Sequence, residues 1–174
     1  EWDRAKFPEG AAIATLDAQQ KRVLLRGVAR ALPEKHEAEI SERDVVEHFA
    51  SVLPDLGRSA SDAQQMVHEI RDRSGILVER RPSYFAFSHL TFQEYFTALD
   101  HVAGKTWDRL IARWKDPWWH EVIALAAGVQ GSDPGRIARS LLAKKDDLAI
   151  FLAAECLETA IDMPLSVRRQ IEKE

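Results

Sequence analysis

Few residues in this chain have the types and spacing that chemistry needs. Gly104-Lys105-Thr106 matches the end of the phosphate-loop pattern G-x-x-x-x-G-K-[ST], but Leu99 stands where that pattern requires its first glycine. The segment also follows a predicted helix rather than a strand, so a glycine-rich cradle of backbone amides is not expected there. We therefore predict a turn between two helices, with Gly104 in the glycine position just after the first helix.

The histidines and the single cysteine give no support for a metal site or for nucleophilic catalysis. Five of the six histidines show neither the H-E-x-x-H pattern nor any paired ligand spacing. They are His36, His48, His68, His101 and His120. Cys156 lies in an apolar run, where a thiolate is destabilised, and no G-x-S-x-G motif is present. We expect these histidines to lie on helix faces, and we expect no bound metal and no enzymatic activity from this chain itself.

His89 differs from the other histidines because it stands between a predicted strand and a predicted helix. It ends an aromatic strand and comes two residues before Thr91, which we expect to cap the next helix. The free amides and the dipole at a helix N-terminus favour an anion, so a phosphate beside His89 is chemically plausible. The alternative is a core histidine that is hydrogen-bonded to the backbone.

The elements that precede His89 follow from apolar spacing and from helix-capping residues. Apolar residues recur at helical spacing over 16–32, and Pro33 is expected to close that helix. Ser41 and Asp44 match a capping box, in which two side chains three residues apart satisfy each other's backbone amides. A second helix is therefore predicted from this box to about Leu53.

A third helix and a β-hairpin complete the first half of the sequence. Ser61 or Asp62 is expected to cap the helix, and Gly75 is expected to end it. The pattern then changes, because residues 76–79 are mostly apolar and β-branched, and residues 84–88 are aromatic with alternate residues facing alike. Three helices followed by a hairpin is the order of a winged-helix domain, in which the hairpin is the wing.

The strongest periodic signal follows the hairpin directly. Thr91 and Glu94 match a second capping box, and apolar residues then recur at i, i+3, i+4, i+7 and i+10. These residues are Phe92, Tyr95, Phe96, Leu99 and Val102. We expect the first four to form the seam between the wing and the helices that follow.

The second half of the sequence is predicted to be helical throughout. Residues 107–114 form one segment, Pro117 opens a buried helix, and Pro134 and Pro164 mark two later helices. Alternating amphipathic and buried helices joined by short loops indicate an α-solenoid of helical hairpins.

The helix around Cys156 is apolar nearly all round, except for an acidic stripe formed by Glu155, Glu158 and Asp162. An alternative function for the segment after residue 105 is a helical-repeat surface that binds a protein ligand. In that alternative Trp118 and Trp119 would be anchors, whereas core packing is the simpler role for both.

Composition places the chain among globular proteins. Of its 174 residues, 45% are hydrophobic and 30% are charged, which excludes a disordered or fibrous protein. The net charge of −4 argues against a surface that follows a phosphate backbone throughout. A single cysteine and the lack of any long uncharged apolar stretch favour a reducing, cytoplasmic compartment and no membrane partner. Because the chain begins at Glu1 without Met, we expect a fragment, with residues 1–15 as a linker or the end of a preceding domain.

Three segments together form a long and specific pattern: Gly75–Glu79, Phe87–Phe96 and Asp116–Gly128. The middle segment matches F-x-H-x-[ST]-F-Q-E-[YF]-F. The set resembles the region that follows the ATPase core in NACHT-family proteins, which are signalling NTPases of the STAND class. With its flanks, the resemblance covers residues 16–160.

The resemblance implies a mainly α fold, with a winged-helix domain at 16–104 and a helical, solenoid-like domain at 105–174. In the family the histidine of the motif, here His89, contacts the β-phosphate of ADP in the resting state. The winged helix thereby holds the ATPase closed, and exchange of ADP for ATP releases it for oligomerisation. The family's phosphate loop, its acidic Mg²⁺ and hydrolysis residues and its sensor arginine would all lie upstream of Glu1.

The resemblance also implies the cofactors and partners. ADP or ATP with Mg²⁺ would bind the full-length parent, whereas the isolated fragment would hold no cofactor. Partners would be the NACHT ATPase core and a C-terminal sensor region in the same protein, and further copies of the parent in an oligomer. Antiviral defence in bacterial immunity is a common assignment for bacterial proteins of this kind.

DNA binding is a further alternative for a winged helix. The candidate recognition helix at 62–73 has more acidic than basic residues, where a phosphate-facing helix should be basic. The acidic ones are Asp62, Glu69 and Asp72, and the basic ones are Arg71 and Arg73. Arg80 and Arg81 at the predicted wing tip are adequately explained as solvated turn residues, so the sequence argues against a nucleic-acid partner.

Overall fold

The computed structural model describes residues 16–32 and 38–173, and within these ranges the chain is mainly helical, as predicted. The predictions for residues 1–15, Pro33 and His36 lie outside the described residues. The helices are α1 (Ala18–Ala31), α2 (Glu42–Val52), α3 (Ala63–Ser74), α4 (Leu90–Ala103), α5 (Trp107–Ile111), α6 (Trp118–Gly128), α7 (Pro134–Leu142), α8 (Asp147–Thr159) and α9 (Leu165–Ile171). The strands are β1 (Ile40–Ser41), β2 (Leu77–Arg81) and β3 (Tyr84–Phe87).

The predicted hairpin is present and carries one strand more than expected. β3 lies in the centre of the sheet and pairs antiparallel with β2 on one side and with β1 on the other. Ile40 faces Phe85 across the β1–β3 pair, and Leu77 faces Phe87 across the β2–β3 pair. A strand of two residues has no periodicity, so the sequence pattern could not predict β1.

Helix ends confirm some of the predicted caps and correct another. Ser41 caps α2, because its hydroxyl accepts a hydrogen bond from the Asp44 amide at 3.2 Å. The predicted capping box is only half formed, since the Asp44 carboxylate accepts from the Ser41 hydroxyl at 2.6 Å rather than from the Ser41 amide. Gly75 ends α3 with a left-handed φ of 63°. The expected cap of α3 by Ser61 or Asp62 is wrong, since a 3₁₀ turn (Ala60–Asp62) leads straight into the helix. The chain is already helical at Asp62, and the hydroxyl that caps this turn is that of Ser59.

Two hydrophobic cores hold the described chain together. The first is formed by α1, α2, α3, the sheet and Phe96 of α4, and the second by the C-terminal half of α4 with α5 to α9. α4 therefore serves both, because Ala98 and Val102 are buried in the second core. The division of the chain at residue 104 stays a prediction.

The predicted seam between the wing and the later helices is wrong, because three of its four residues pack in the first core and none of the four packs in the second. Phe96 is buried in the first core, and Phe92 and Tyr95 pack against that core while half-buried. Leu99 is half-buried and packs in neither core of the described chain, so its place in the seam was predicted wrongly. It lies one turn beyond Tyr95 and Phe96 on α4.

The second core is closed by tight contacts between α6 and α8. The Thr159 hydroxyl donates to the Ala124 carbonyl at 2.6 Å, and a Cβ on Gly128 would lie 2.7 Å from the Thr159 carbonyl oxygen. Trp119 is buried in this core and Trp118 packs half-buried against it, as the core-packing alternative predicted. The helix predicted over 107–114 is shorter than expected and ends at Ile111. Within the described ranges no helix has both the length and the apolar character needed to cross a bilayer.

Candidate functional site

His89 occupies the N-cap position of α4, directly after the central strand. Its backbone is extended, with φ −133° and ψ 146°, and α4 begins at Leu90. The capping box predicted from Thr91 and Glu94 is therefore wrong, because Thr91 is already the second residue of the helix. Only two residues separate the end of β3 from α4, so the turn is complete before Thr91 is reached.

The His89 side chain is exposed, which excludes the alternative of a buried core histidine. Its ring lies 6.0 Å from the Phe92 ring, tilted by 50°. No side chain among the described residues caps α4, whereas Asp17 and Ser41 supply an acceptor to the first turns of α1 and α2. The Phe92 amide donates to the His89 carbonyl at 3.1 Å, so the first-turn amides left for an external acceptor beside the imidazole are those of Leu90 and Thr91.

A cleft of about 430 Å³ lies against the same end of α4. It is lined by Ser88, Leu90 and Gln93 from around the helix start and by Arg80 and Glu39 from the sheet side. The Arg80 guanidinium donates to the Ser88 carbonyl at 3.4 Å, so a cation lies near the helix N-terminus and adds to its positive potential.

Sequence reasoning assigned Arg80 to a solvated turn, whereas the structure places it in β2 beside this cleft. β2 ends two residues later than predicted, and the hairpin is irregular, with a shift of register between Glu79 and Arg81. No sequence pattern predicts such a shift of register, because the shift depends on how β2 pairs with β3.

Two arginines of the candidate DNA-binding face, Arg71 and Arg81, are paired with carboxylates. On α3 the Arg71 Nε lies 2.7 Å from Asp72 Oδ1, and on the wing the Arg81 Nε lies 2.6 Å from Glu39 Oε2. These bonds raise the pKa of both guanidinium groups. Arg81 also stacks on the Tyr84 ring, with its Cζ 3.3 Å from the ring centroid. Cations held in this way are poorly available to phosphates, which weighs against the DNA alternative.

The other described histidines bond to neighbours within the fold. His48 Nε2 is 3.2 Å from the Leu24 carbonyl, His101 Nδ1 is 2.7 Å from the Thr106 hydroxyl, and His120 Nε2 is 3.1 Å from the Trp114 carbonyl. His68 Nε2 lies 3.9 Å from Glu42 Oε1. The described residues contain no group of three or more side chains that could hold a metal ion.

The two remaining candidates for chemistry, the segment Gly104–Thr106 and Cys156, also have structural roles. Gly104 caps the C-terminus of α4 with a helical φ of −81°, and Lys105 rather than the glycine takes the left-handed φ, at 51°. The predicted interhelical turn is therefore present, but its left-handed residue was assigned wrongly. Cys156 is buried in α8, and burial raises the pKa of its thiol to about 12.

Comparison with known families gives a match over the first half of the chain. A family model described as the winged helix-turn-helix domain C-terminal to NACHT matches residues 1–101. Comparisons with curated proteins and with solved structures give no match. The matched range takes in the first three helices, the sheet and most of α4, including His89. It covers more than half of the 174 residues, and the mainly helical fold with its small antiparallel sheet agrees with it. The chain therefore belongs to the family of winged helix-turn-helix domains that lie C-terminal to NACHT.

Proposed function

We propose that this chain is the regulatory part of a NACHT signalling NTPase and that it closes over ADP bound by the ATPase core of the same protein. The observation that carries the proposal is the position of His89. Its exposed imidazole stands at the uncapped N-terminus of α4, where ring and amides together can meet a phosphate. Membership of a family that follows NACHT supports the ATPase core as the neighbour.

His89 would donate a hydrogen bond to the β-phosphate of ADP. A charge-assisted hydrogen bond of this kind contributes about 1.5–3 kcal/mol, which is enough to bias a switch but not to bind a nucleotide alone. Binding of the nucleotide and Mg²⁺, and hydrolysis, are accordingly assigned to the ATPase core. This chain is not an enzyme by itself in the proposal.

The contact with ADP exists only in the closed state, so it favours that state by the energy of the contact. Exchange of ADP for ATP removes this contact, and the opened parent assembles with further copies of itself. A C-terminal sensor region of the same protein would supply the trigger. We place this switch in the bacterial cytoplasm, in antiviral immunity.

The test uses the parent protein with its NACHT core, purified with ADP bound. His89→Ala should raise the ratio of open to closed protein by about one to two decades, because the closed state loses about 1.5–3 kcal/mol, and the share of oligomer should rise with it. His68→Ala is the matched control, since His68 lies on α3 and bonds within the fold. An unchanged ratio in a His89→Ala protein of normal stability would refute the latch. Lost DNA binding with unchanged nucleotide exchange would favour the DNA alternative instead.

A further inference from the structure

The exposed large hydrophobic side chains of the described chain lie in one short segment. They are Leu148, Phe151, Ile161 and Leu165, and Phe151 and Ile161 are exposed by 58% and 84%. Single exposed apolar side chains are common on protein surfaces. Four within 18 residues, with none in the described winged-helix half, are a feature that calls for a partner.

The same segment is strongly acidic. Residues 146–167 contain no Lys or Arg and five carboxylates, which are Asp146, Asp147, Glu155, Glu158 and Asp162. None of the five has an ion-pair partner among the described residues. The exposed apolar groups therefore lie beside carboxylates that form no ion pair within the described chain, although Lys144, Lys145, Arg168 and Arg169 flank the segment.

α8 arranges these groups on its outer face. The inner face is fully buried against the second core through Ala149, Leu152, Ala153 and Cys156. Phe151 lies on the opposite side, with Asp147 one turn before it, Glu155 one turn after it and Glu158 two turns after it. An aromatic side chain thus stands on the outside of the helix between carboxylates.

Charge decides which occupant suits this face. A second copy placed symmetrically on it would bring like charges together, which costs energy in an isologous interface. An anionic lipid surface is repelled for the same reason. A helix with an apolar stripe and basic flanks satisfies both the exposed hydrophobic groups and the carboxylates.

We propose that the outer face of α8 is a docking surface for a basic amphipathic helix of a partner protein. Phe151 and Leu148 receive the apolar stripe of that helix, and Asp147, Glu155 and Glu158 pair with the Lys or Arg side chains that flank it. The proposal goes beyond the nucleotide switch and does not depend on it.

The test measures binding of a synthetic amphipathic helix of Leu and Lys to the 174-residue chain by fluorescence anisotropy. A second peptide, with every Lys replaced by Glu, keeps the apolar stripe and reverses its flanks. The Lys peptide should bind at least about tenfold more tightly than the Glu peptide, and added salt should weaken it. Equal binding of the two peptides would overturn the proposal.

Two double variants distinguish binding at the outer face of α8 from non-specific attraction to the net negative charge of the chain. Glu155→Lys/Glu158→Lys should weaken binding of the Lys peptide about tenfold. The control, Glu47→Lys/Asp55→Lys, changes exposed residues of the winged-helix half and shifts the net charge by the same amount, so it should change affinity less than about threefold. Equal losses in both would mean non-specific attraction and would overturn the proposal.

Phe151→Ala tests the apolar part of the contact. It should weaken binding of the Lys peptide about fivefold while leaving the melting temperature unchanged, because Phe151 is mostly exposed. Analytical ultracentrifugation of the same proteins supplies the competing outcome. A dimer of the unmodified chain that Phe151→Ala dissociates would make a second copy the occupant and would overturn the proposal.

Discussion

The two hydrophobic cores of this chain leave different groups on the surface. The first core buries aromatic side chains from both helices and strands and leaves His89 and ion-paired arginines outside; its phenylalanines are Phe49, Phe85, Phe87 and Phe96. The second core is built largely from alanine, leucine, isoleucine and valine with three tryptophans, and it leaves Phe151 and Ile161 outside. The first half is thus suited to a charged ligand and the second half to a protein surface. α4 joins them, because it contributes Phe96 to one core and Val102 to the other.

The largest expected difference between the regions comes from the same substitution made in each. Phe96 is 4% exposed, stacks on Phe87 at 5.6 Å and contacts the Tyr95 ring edge-on at 5.3 Å. Phe96→Ala should lower the free energy of unfolding by about 3–5 kcal/mol, because it removes a buried ring and leaves a cavity. Phe151→Ala should lower it by less than about 0.5 kcal/mol. Urea unfolding of both variants makes the comparison, and equal losses would show that the two cores have been described wrongly.

A smaller effect is expected at two glycines, one beside each core, where another group lies too close to leave room for a Cβ atom. A Cβ on Gly27 would lie 1.9 Å from His48 Nε2, whereas a Cβ on Gly128 would meet the Thr159 carbonyl oxygen. Each Gly→Ala change should destabilise the fold by about 1–3 kcal/mol through overpacking.

The group that crowds Gly27 is the His48 side chain, whereas the group that crowds Gly128 is the backbone carbonyl of Thr159. His48→Ala should therefore remove most of the penalty of Gly27→Ala and none of the penalty of Gly128→Ala. A double-mutant cycle by thermal unfolding measures this, and rescue of both or of neither would contradict the assigned contacts.

The two cores should also respond to opposite ends of the pH scale. Burial lowers the pKa of His48 below its ordinary value of 6.5, so its contribution to stability is complete above about pH 6.5 and is lost as the pH falls below that value. Burial raises the pKa of Cys156 from 9.0 to about 12, so its contribution is complete below pH 9 and is lost as the pH rises towards 12.

His48→Gln should flatten the acid limb of the plot of melting temperature against pH, and Cys156→Ala should flatten the alkaline limb. Melting curves between pH 5 and pH 10 test both. An acid limb that His48→Gln leaves unaltered would mean that other groups cause it.

The smallest expected effect is on the isolated chain. One imidazole and one helix terminus supply too few contacts to hold ADP, so calorimetry of the 174-residue chain should detect no micromolar binding. Micromolar binding would show a nucleotide site within this chain and would contradict the proposal that the ATPase core binds the nucleotide.

The sequence predicted features that depend on local spacing and missed those that depend on pairing. The order of helices and hairpin, the left-handed Gly75 and the burial of Phe96 all follow from neighbours along the chain. β1 and the register shift beside Arg80 arise from contacts between distant segments, which periodicity cannot report.

The candidate site was predicted in position but not in detail. His89 lies at the start of α4 as expected, yet the expected cap by Thr91 is wrong, because only Ser88 and His89 separate the strand from the helix. The exposure of Phe151 was also missed, since an apolar run around Cys156 does not show which of its faces is covered.

The rate of ADP release from the parent protein tests the central claim most directly. His89→Ala should release ADP about one to two decades faster than the unmodified protein, at equal thermal stability, because the contact between His89 and phosphate exists only in the closed state. His68→Ala should release ADP at the unmodified rate. An ADP release rate that His89→Ala leaves unchanged or slows would show that the imidazole at the start of α4 is not the nucleotide latch.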